Sequence, residues 1–106
     1  MPKYLFEVSY TEKGAQGLLK EGGSKRRAAA EAAAKSLGGS VEAFYFSFGS
    51  NDAIVIADFP DHAAAAALSV NIGASGAVRG STTVLFAAEE MDAACKRQIG
   101  YRPPGA

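Results

Sequence analysis

Two polar side chains lie in a short turn between apolar strands, where a carboxylate could meet a ligand. Asn51 and Asp52 end the run Gly49-Ser50-Asn51-Asp52, whose residues tolerate positive φ and form local hydrogen bonds. A hairpin end of this kind can project Asp52 over the mouth of a cleft, but the same residue types are ordinary in turns. Asp52 and Asn51 are therefore candidate ligand contacts, with a turn role as the simpler interpretation.

Three further side chains are candidates for contact with a ligand. Arg79, at the start of the last predicted strand, could hold an anion or pair with Asp52, although an ordinary salt bridge would explain it as well. Tyr45 lies in an aromatic strand, where a core or interface role is usual and a hydrogen bond to a ligand is the alternative. His62 follows Asp61 at a predicted helix start. An imidazole there is usually exposed, but it permits acid–base chemistry.

The sequence does not indicate a cofactor site. One histidine and one cysteine, with no carboxylate cluster at ligand spacing, do not make a metal site. Gly22-Gly23-Ser24 before a helix resembles an anion cradle, but it lacks the spacing of the Walker and dinucleotide motifs. No nucleophile–base pair or Gly-x-Ser-x-Gly elbow stands out. We therefore expect a protein that uses neither a metal nor a cofactor.

Composition narrows the class of protein. The chain has 106 residues, the size of one domain, and its 11 basic and 11 acidic side chains cancel. Its one dense basic cluster, Lys25-Arg26-Arg27, is too short for a nucleic-acid footprint. No apolar run is long enough to span a membrane. The single cysteine, Cys95, suits a reducing compartment, so we expect a cytoplasmic protein.

The elements that must position these side chains follow from periodicity. Residues alternate along 3–10, so that Tyr4, Phe6, Val8 and Tyr10 share one face of a strand. Alanines at helical spacing predict helices, one capped by Ser24 and one by Asp61. The predicted elements are strands at 3–10, 41–48, 53–59 and 77–87, helices at 24–37 and 62–72, and a short helix from 89.

This order predicts an α+β, ferredoxin-like β-α-β-β-α-β domain, with two helices on one face of an antiparallel sheet and a short C-terminal helix. We expect the domain to cover residues 1–92, with the helix end and tail at 93–106. The second and third strands are apolar on both faces, yet two helices cover only one. We therefore expect self-association, face to face or edge to edge, with at least two aromatic residues of the first two strands on the open face.

An ordered series of residues is similar to the GYD domain family over roughly residues 1 to 92. At the Gly-Tyr-Asp signature, Gly49 and Asp52 are present and Asn51 stands where tyrosine is expected. The resemblance implies a ferredoxin-like fold and kinship with dimeric α/β-barrel proteins, which include cofactor-free isomerases, monooxygenases and simple ligand binders. The matching residues are Lys25-Arg26, Leu37-Gly38-Gly39, Val41, Phe44-Tyr45, Gly49, Asp52, the run 63–68, Gly76-Ala77-Val78-Arg79 and Thr82-Thr83.

Three functions fit these observations. The first is a homo-oligomeric domain that binds a small, partly apolar molecule between helices and sheet, without catalysis. The second is a cofactor-free isomerase or monooxygenase-like enzyme that uses Asp52, His62 or Arg79. The third is a PII-like trimeric signalling protein, for which the turn at 49–52 is too short. RNA recognition is disfavoured, because the third strand lacks the basic-Gly-aromatic signature.

Overall fold

Four strands and four helices make up the fold, and a computed structural model describes all of residues 1–106. The sheet is antiparallel with strand order β2-β3-β1-β4, so the predicted ferredoxin-like α+β arrangement is confirmed. No helix combines the length and apolar character needed to cross a membrane. The elements are β1 (Lys3–Tyr10), α1 (Glu12–Glu21), α2 (Gly23–Ser36), β2 (Ser40–Phe46), β3 (Ala53–Asp58), α3 (His62–Ala74), β4 (Val78–Leu85) and α4 (Ala88–Lys96).

The core lies between the sheet and the two central helices. Tyr4 and Phe6 of β1 are buried, and each packs edge to face with Phe59, with ring centroids 6.0 Å apart. Ala34 of α2 and Ala65 of α3 are also buried against this cluster. Because side chains alternate along a strand, the same β1 residues that the sequence placed on one face form the centre of the core.

The helix boundaries differ from the prediction at one cap. Ser24 lies inside the first turn of α2, and the N-cap is Gly22, whose φ of 85° turns the chain sharply from α1 into α2. A side chain would be strained in that conformation. Asp61 does cap α3, because its carboxylate accepts a hydrogen bond from the Ala64 amide at 2.9 Å. Gly38, with a φ of 78°, follows the end of α2 in the left-handed conformation that is common after a helix.

A bulge in β2 changes which of its residues face the helices. Val41 pairs with Ala57, and Ala43 pairs with the next residue of β3, Ile56. Glu42 is therefore an extra residue in β2 that has no partner in β3. Val41 therefore faces the core, where simple alternation placed it on the face of Ala43 and Tyr45. The bulged residue, Glu42, reaches Lys3 of β1 instead, with its Oε1 3.1 Å from Nζ.

The expectation of two aromatic residues on the open face is wrong. The ring of Phe46 lies against Gly23 at the start of α2, and Phe44 lines the space under the helices. Only Tyr45, 70% exposed, points away from the helices. The remainder of the open face is mixed. Ile56 lies between Leu5 and Ala43 in the register, whereas Glu7 lies between Ile54 and Ser81.

Lys3 joins three strands at one end of the open face. Its ammonium lies 2.9 Å from Asp58 Oδ1 as well as 3.1 Å from Glu42 Oε1. The hydrogen bond to Asp58, then that to Glu42, raises the pKa of Lys3 above its ordinary value. Because the pKa of Lys3 is higher in the folded than in the unfolded chain, the charged ammonium stabilises the folded state. This stabilisation is fully present at neutral pH and is lost as the pH rises through the pKa of the folded state.

The C-terminal part of the chain projects from the domain. Every residue from Phe86 to the end is exposed, and α4 buries none of its side chains. The radius of gyration is 16.9 Å, whereas a compact domain of this length has about 13 Å. Residues 86–106 therefore extend the molecule without adding to its core.

Two glycines of α1 give a matched test of how this helix docks. A Cβ at Gly14 would lie 2.0 Å from the carbonyl oxygen of Ala77, whereas one at Gly17 meets nothing within 4 Å. We expect Gly14→Ala to lower the free energy of unfolding by about 1–3 kcal/mol, as overpacking does. Gly17→Ala should raise it by about 0.5–1 kcal/mol through helix propensity. Urea unfolding followed by circular dichroism measures both, and equal effects would contradict the close approach.

Candidate functional site

An apolar cavity of about 130 Å³ lies between α2, α3 and the sheet. Fifteen of its 16 lining residues are hydrophobic. Alanines form most of the α2 wall, and two further alanines lie opposite on β3, so small side chains face each other across the space. Its walls are Ala29, Ala30, Ala33 and Ala34 of α2, Leu68 and Ile72 of α3, and Phe6, Val8, Tyr10, Val41, Phe44, Ala53, Val55, Ala57 and Val78 of the sheet.

Arg26 is the sixteenth lining residue and the only charged one. It lies three and four positions before Ala29 and Ala30, so helical geometry places it on the same face of α2. It is half-buried, and it makes no ion pair and no side-chain hydrogen bond within the chain. Because no buried side-chain nitrogen or oxygen lacks a partner, its guanidinium keeps access to water. An arginine stem can lie along an apolar wall while its head stays hydrated.

A second, more polar space adjoins the cavity. It measures about 450 Å³ and shares Tyr10, Arg26 and four apolar residues with the cavity. Its outer walls include Lys13 and Glu21 of α1. We call this space the outer cleft. Arg26 therefore stands where the apolar cavity meets a solvent-facing cleft.

Helix α1 is held over the outer cleft by hydrogen bonds to the chain around Ala77. The Thr11 amide donates to the Ala77 carbonyl at 3.0 Å, and the Thr11 hydroxyl donates to the Gly76 carbonyl at 2.8 Å. Lys13 Nζ donates to the Ser75 carbonyl at 3.4 Å. These contacts fix one wall of the cleft at the end of the sheet where β4 begins.

Asp52 and Asn51 serve the β2–β3 connection. Asp52 Oδ2 accepts a hydrogen bond from the Tyr10 amide at 2.8 Å, and the Asp52 amide donates to the Val8 carbonyl at 2.8 Å. Asn51 Nδ2 donates to Glu7 Oε2 at 3.3 Å. Both residues therefore continue the pairing of β3 with β1 beyond the strand end.

Tyr45 and Arg79 lie on the open face of the sheet, away from the cavity. Tyr45 pairs with Ile54, and Arg79 is exposed opposite Ser9 at the start of β4. The pairing of Arg79 with Asp52 is wrong, because Lys3 makes the only ion pairs in the molecule. The physical reason is that Asp52 turns toward the Tyr10 amide, which extends the β-ladder.

His62 lies at the other end of β1. Its Nδ1 is 2.5 Å from the hydroxyl oxygen of Tyr4, and the two rings meet edge to face at 5.7 Å. Tyr4 is only 2% exposed, so His62 satisfies a hydroxyl that is buried in the core. The first turn of α3 is thereby tied to β1.

None of the five predicted contacts lines the cavity, and they do not form one site. Asp52 contacts Tyr10 and His62 contacts Tyr4, six residues apart along β1, which is about 20 Å. Tyr45, Asn51, Asp52, His62 and Arg79 therefore stay predictions for sites other than the cavity.

The sequence places most of the cavity-lining residues on the apolar faces of its helices and strands, where core residues are expected. Arg26 was counted as part of a basic cluster, although its spacing from the alanines already placed it on the apolar stripe of α2. The free space could not be read from the sequence, because it depends on how far α2 stands from β2 and β3. No group of three or more histidine, cysteine or acidic side chains lies together. Independence from metals and cofactors stays a prediction.

The comparisons with known proteins give a family and nothing finer. The family model described as GYD domain matches residues 4–95, which confirms the resemblance seen in the sequence. No curated protein and no solved structure matches the chain.

Substitutions at Asp52 test its part in the ladder. Asp52→Ala should lower the free energy of unfolding by about 1–2 kcal/mol, because it leaves the Tyr10 amide without its acceptor. Asp52→Asn should cost less than half of this, since an amide oxygen still accepts. Arg79→Met should stay within about 0.5 kcal/mol and add to either change. Urea unfolding checks this, and a coupling above about 0.5 kcal/mol would show that the two side chains interact.

Proposed function

This chain belongs to the GYD domain family, and we propose that it is a homo-oligomeric domain that binds a small, partly apolar molecule in its helix–sheet cavity. The observation that carries the proposal is the cavity itself. Elements packed directly on one another leave few spaces larger than a water molecule, yet here a space that reaches solvent at Ala29 separates α2 and α3 above the sheet. A space of about 130 Å³ with an almost wholly apolar lining and one polar residue has the character of a small ligand site.

Binding without catalysis is favoured over the enzyme alternative. An acid–base mechanism needs its groups within hydrogen-bond reach of one substrate. Asp52 and His62 contact opposite ends of β1, and each is engaged with a group of the fold. Apart from Arg26 and the hydroxyl of Tyr10, the cavity wall carries no group that could move a proton.

The chain exposes more surface than a compact monomer of its mass. The chain exposes 7408 Å², whereas a folded monomer of its mass exposes about 5,600 Å². The excess is roughly 1,800 Å², enough for each copy to contribute the roughly 800 Å² of a standard interface. Residues 86–106 project from the domain and are all exposed, so they contribute a large share of this excess. Self-association is therefore supported by the uncovered apolar residues of the sheet rather than by the total area.

The open face of the sheet is the surface that we propose a second copy covers. Its apolar part is formed by Leu5, Ile54 and Ile56, with Tyr45 beside them, and Glu7 lies next to Ile54 on the same face. No helix of the chain packs on this face. Edge pairing through β2 is disfavoured, because a bulge at Glu42 interrupts that edge.

Filling the cavity should abolish binding of an apolar probe. The probe is benzene, because a cavity of roughly 150 Å³ accommodates it. In the native chain, benzene should shift the methyl resonances of Leu68 and Ile72, and Ala33→Leu should remove these shifts by occupying the space. NMR titration suits the protein, which has no tryptophan.

The matched control for this experiment is Ala32→Leu, which places the same side chain on the exposed side of α2. It should bind benzene like the native chain. If Ala33→Leu does not fold, Ala30→Val makes a smaller change in the same wall. Absence of benzene shifts in the native chain, or equal binding by the filled variants, would refute the cavity as a ligand site.

A charge on the open face should dissociate the oligomer. We expect the native chain to elute as a dimer or larger at micromolar concentration, and Ile56→Lys to elute as a monomer. Desolvating an unpaired ammonium at the centre of an interface costs several kcal/mol. Light scattering coupled to size exclusion measures the mass. Ala32→Lys, on the exposed face of α2, is the control, and a monomeric native chain would contradict the proposal.

A further inference from the structure

We propose that the ligand of the cavity is a small monocarboxylic acid with an apolar body, and that Arg26 binds its carboxylate. The proposal rests on the proposed function of the cavity as a ligand site and names the chemical class that the site selects. Three features of the site lead to it: the volume, the position of one guanidinium, and the charges around the outer cleft.

The volume limits the apolar body of the ligand. The cavity of about 130 Å³ is slightly smaller than the roughly 150 Å³ that accommodates a benzene ring. A six-membered ring, or a branched chain of about six carbons, therefore fills it. A longer molecule must continue into the outer cleft, where the wall becomes polar.

Arg26 supplies a positive charge that the chain itself does not neutralise. It lines both the cavity and the outer cleft, and it has no ion pair and no side-chain hydrogen bond in the chain. The first turn of α2 contains no acidic residue, and its N-cap, Gly22, offers no side-chain acceptor. The positive end of the helix dipole therefore adds to the field of the guanidinium. A ligand anion bound between the cavity and the outer cleft would be attracted by the guanidinium and by the helix dipole.

The charges around the outer cleft favour a single negative charge on the ligand. Lys13 and Arg26 are positive and Glu21 is negative, so the lining carries one net positive charge. The planar fork of a guanidinium matches the two oxygens of a carboxylate and can donate two parallel hydrogen bonds. A monocarboxylate satisfies this geometry and charge, whereas a dianion would bring a second negative charge toward Glu21.

Benzoate and benzamide test the proposal, because they share size and shape and differ in charge. The native chain should bind benzoate roughly ten- to a hundredfold more tightly than benzamide, as expected for hydrogen bonds to a charged group. NMR titration of the Ala33 and Leu68 amides gives both dissociation constants. Benzene, measured in parallel, reports on the apolar cavity alone.

Arg26→Met should bring the affinities for benzoate and benzamide to within a factor of about two of each other. Because Arg26 lines the cavity, benzene is titrated into each variant as well, and the two affinities are compared relative to that of benzene. Arg27→Met is the control, because Arg27 neighbours Arg26 but does not line the cavity. It removes the same charge and should preserve the preference for benzoate. If Arg26→Met does not fold, Arg26→Lys keeps the charge without the fork and should retain only part of the preference.

The outcomes separate the two proposals. If benzene binds and benzoate has no advantage over benzamide, the carboxylate assignment is overturned while the cavity stands as a ligand site. An equal loss of preference in Arg26→Met and Arg27→Met would overturn it too, since general electrostatic attraction would then explain the result. If none of the three probes binds, both proposals are refuted.

Discussion

The alanine stripe of α2 determines how closely this helix can approach the sheet. Ala34 is fully buried, and its neighbours along the stripe form one wall of the cavity. An alanine side chain offers few contacts, so large side chains from elsewhere must complete the core. Tyr4, Phe6 and Phe59 do so at one end of the sheet. Toward the other end no ring of comparable burial is present, and there the small-residue walls leave space.

This uneven distribution of large side chains connects the core to the site. The ring cluster and the hydrogen bond between Tyr4 and His62 hold α3 firmly at the end where β1 begins. At the opposite end, α1 rests on backbone hydrogen bonds around Ala77 and on the close approach of Gly14. The ring cluster fills the end of the sheet where β1 begins, and the opposite end, under α1, borders the outer cleft. The most tightly packed part of the core and the proposed route for a ligand thus lie at different ends of one sheet.

The two faces of the sheet have different partners. Helices cover one face. The other, which no element of the chain covers, combines an apolar patch around Ile54 and Ile56 with charged side chains such as Glu7 and Arg79. The bulge at Glu42 sharpens this division, because it directs Val41 into the core and brings Glu42 to Lys3 at the end of the open face. The proposed assembly would cover the open face and leave the cavity, on the other side, within each copy.

The sequence by itself determined the order of the strands and of the two central helices, the fold class and the family, because periodicity and turn residues are local properties of the chain. Asp61 could be assigned as a helix N-cap for the same reason. Helix α1 was not among the predicted elements. The tertiary structure decided three things that depend on distances between elements: the cavity, the bulge that moves Val41, and the separation of Asp52 from His62. Arg26 shows the difference between what the sequence and the tertiary structure reveal. Helical spacing alone places it on the alanine stripe, but only the packing of α2 against the sheet shows that this stripe borders a free space.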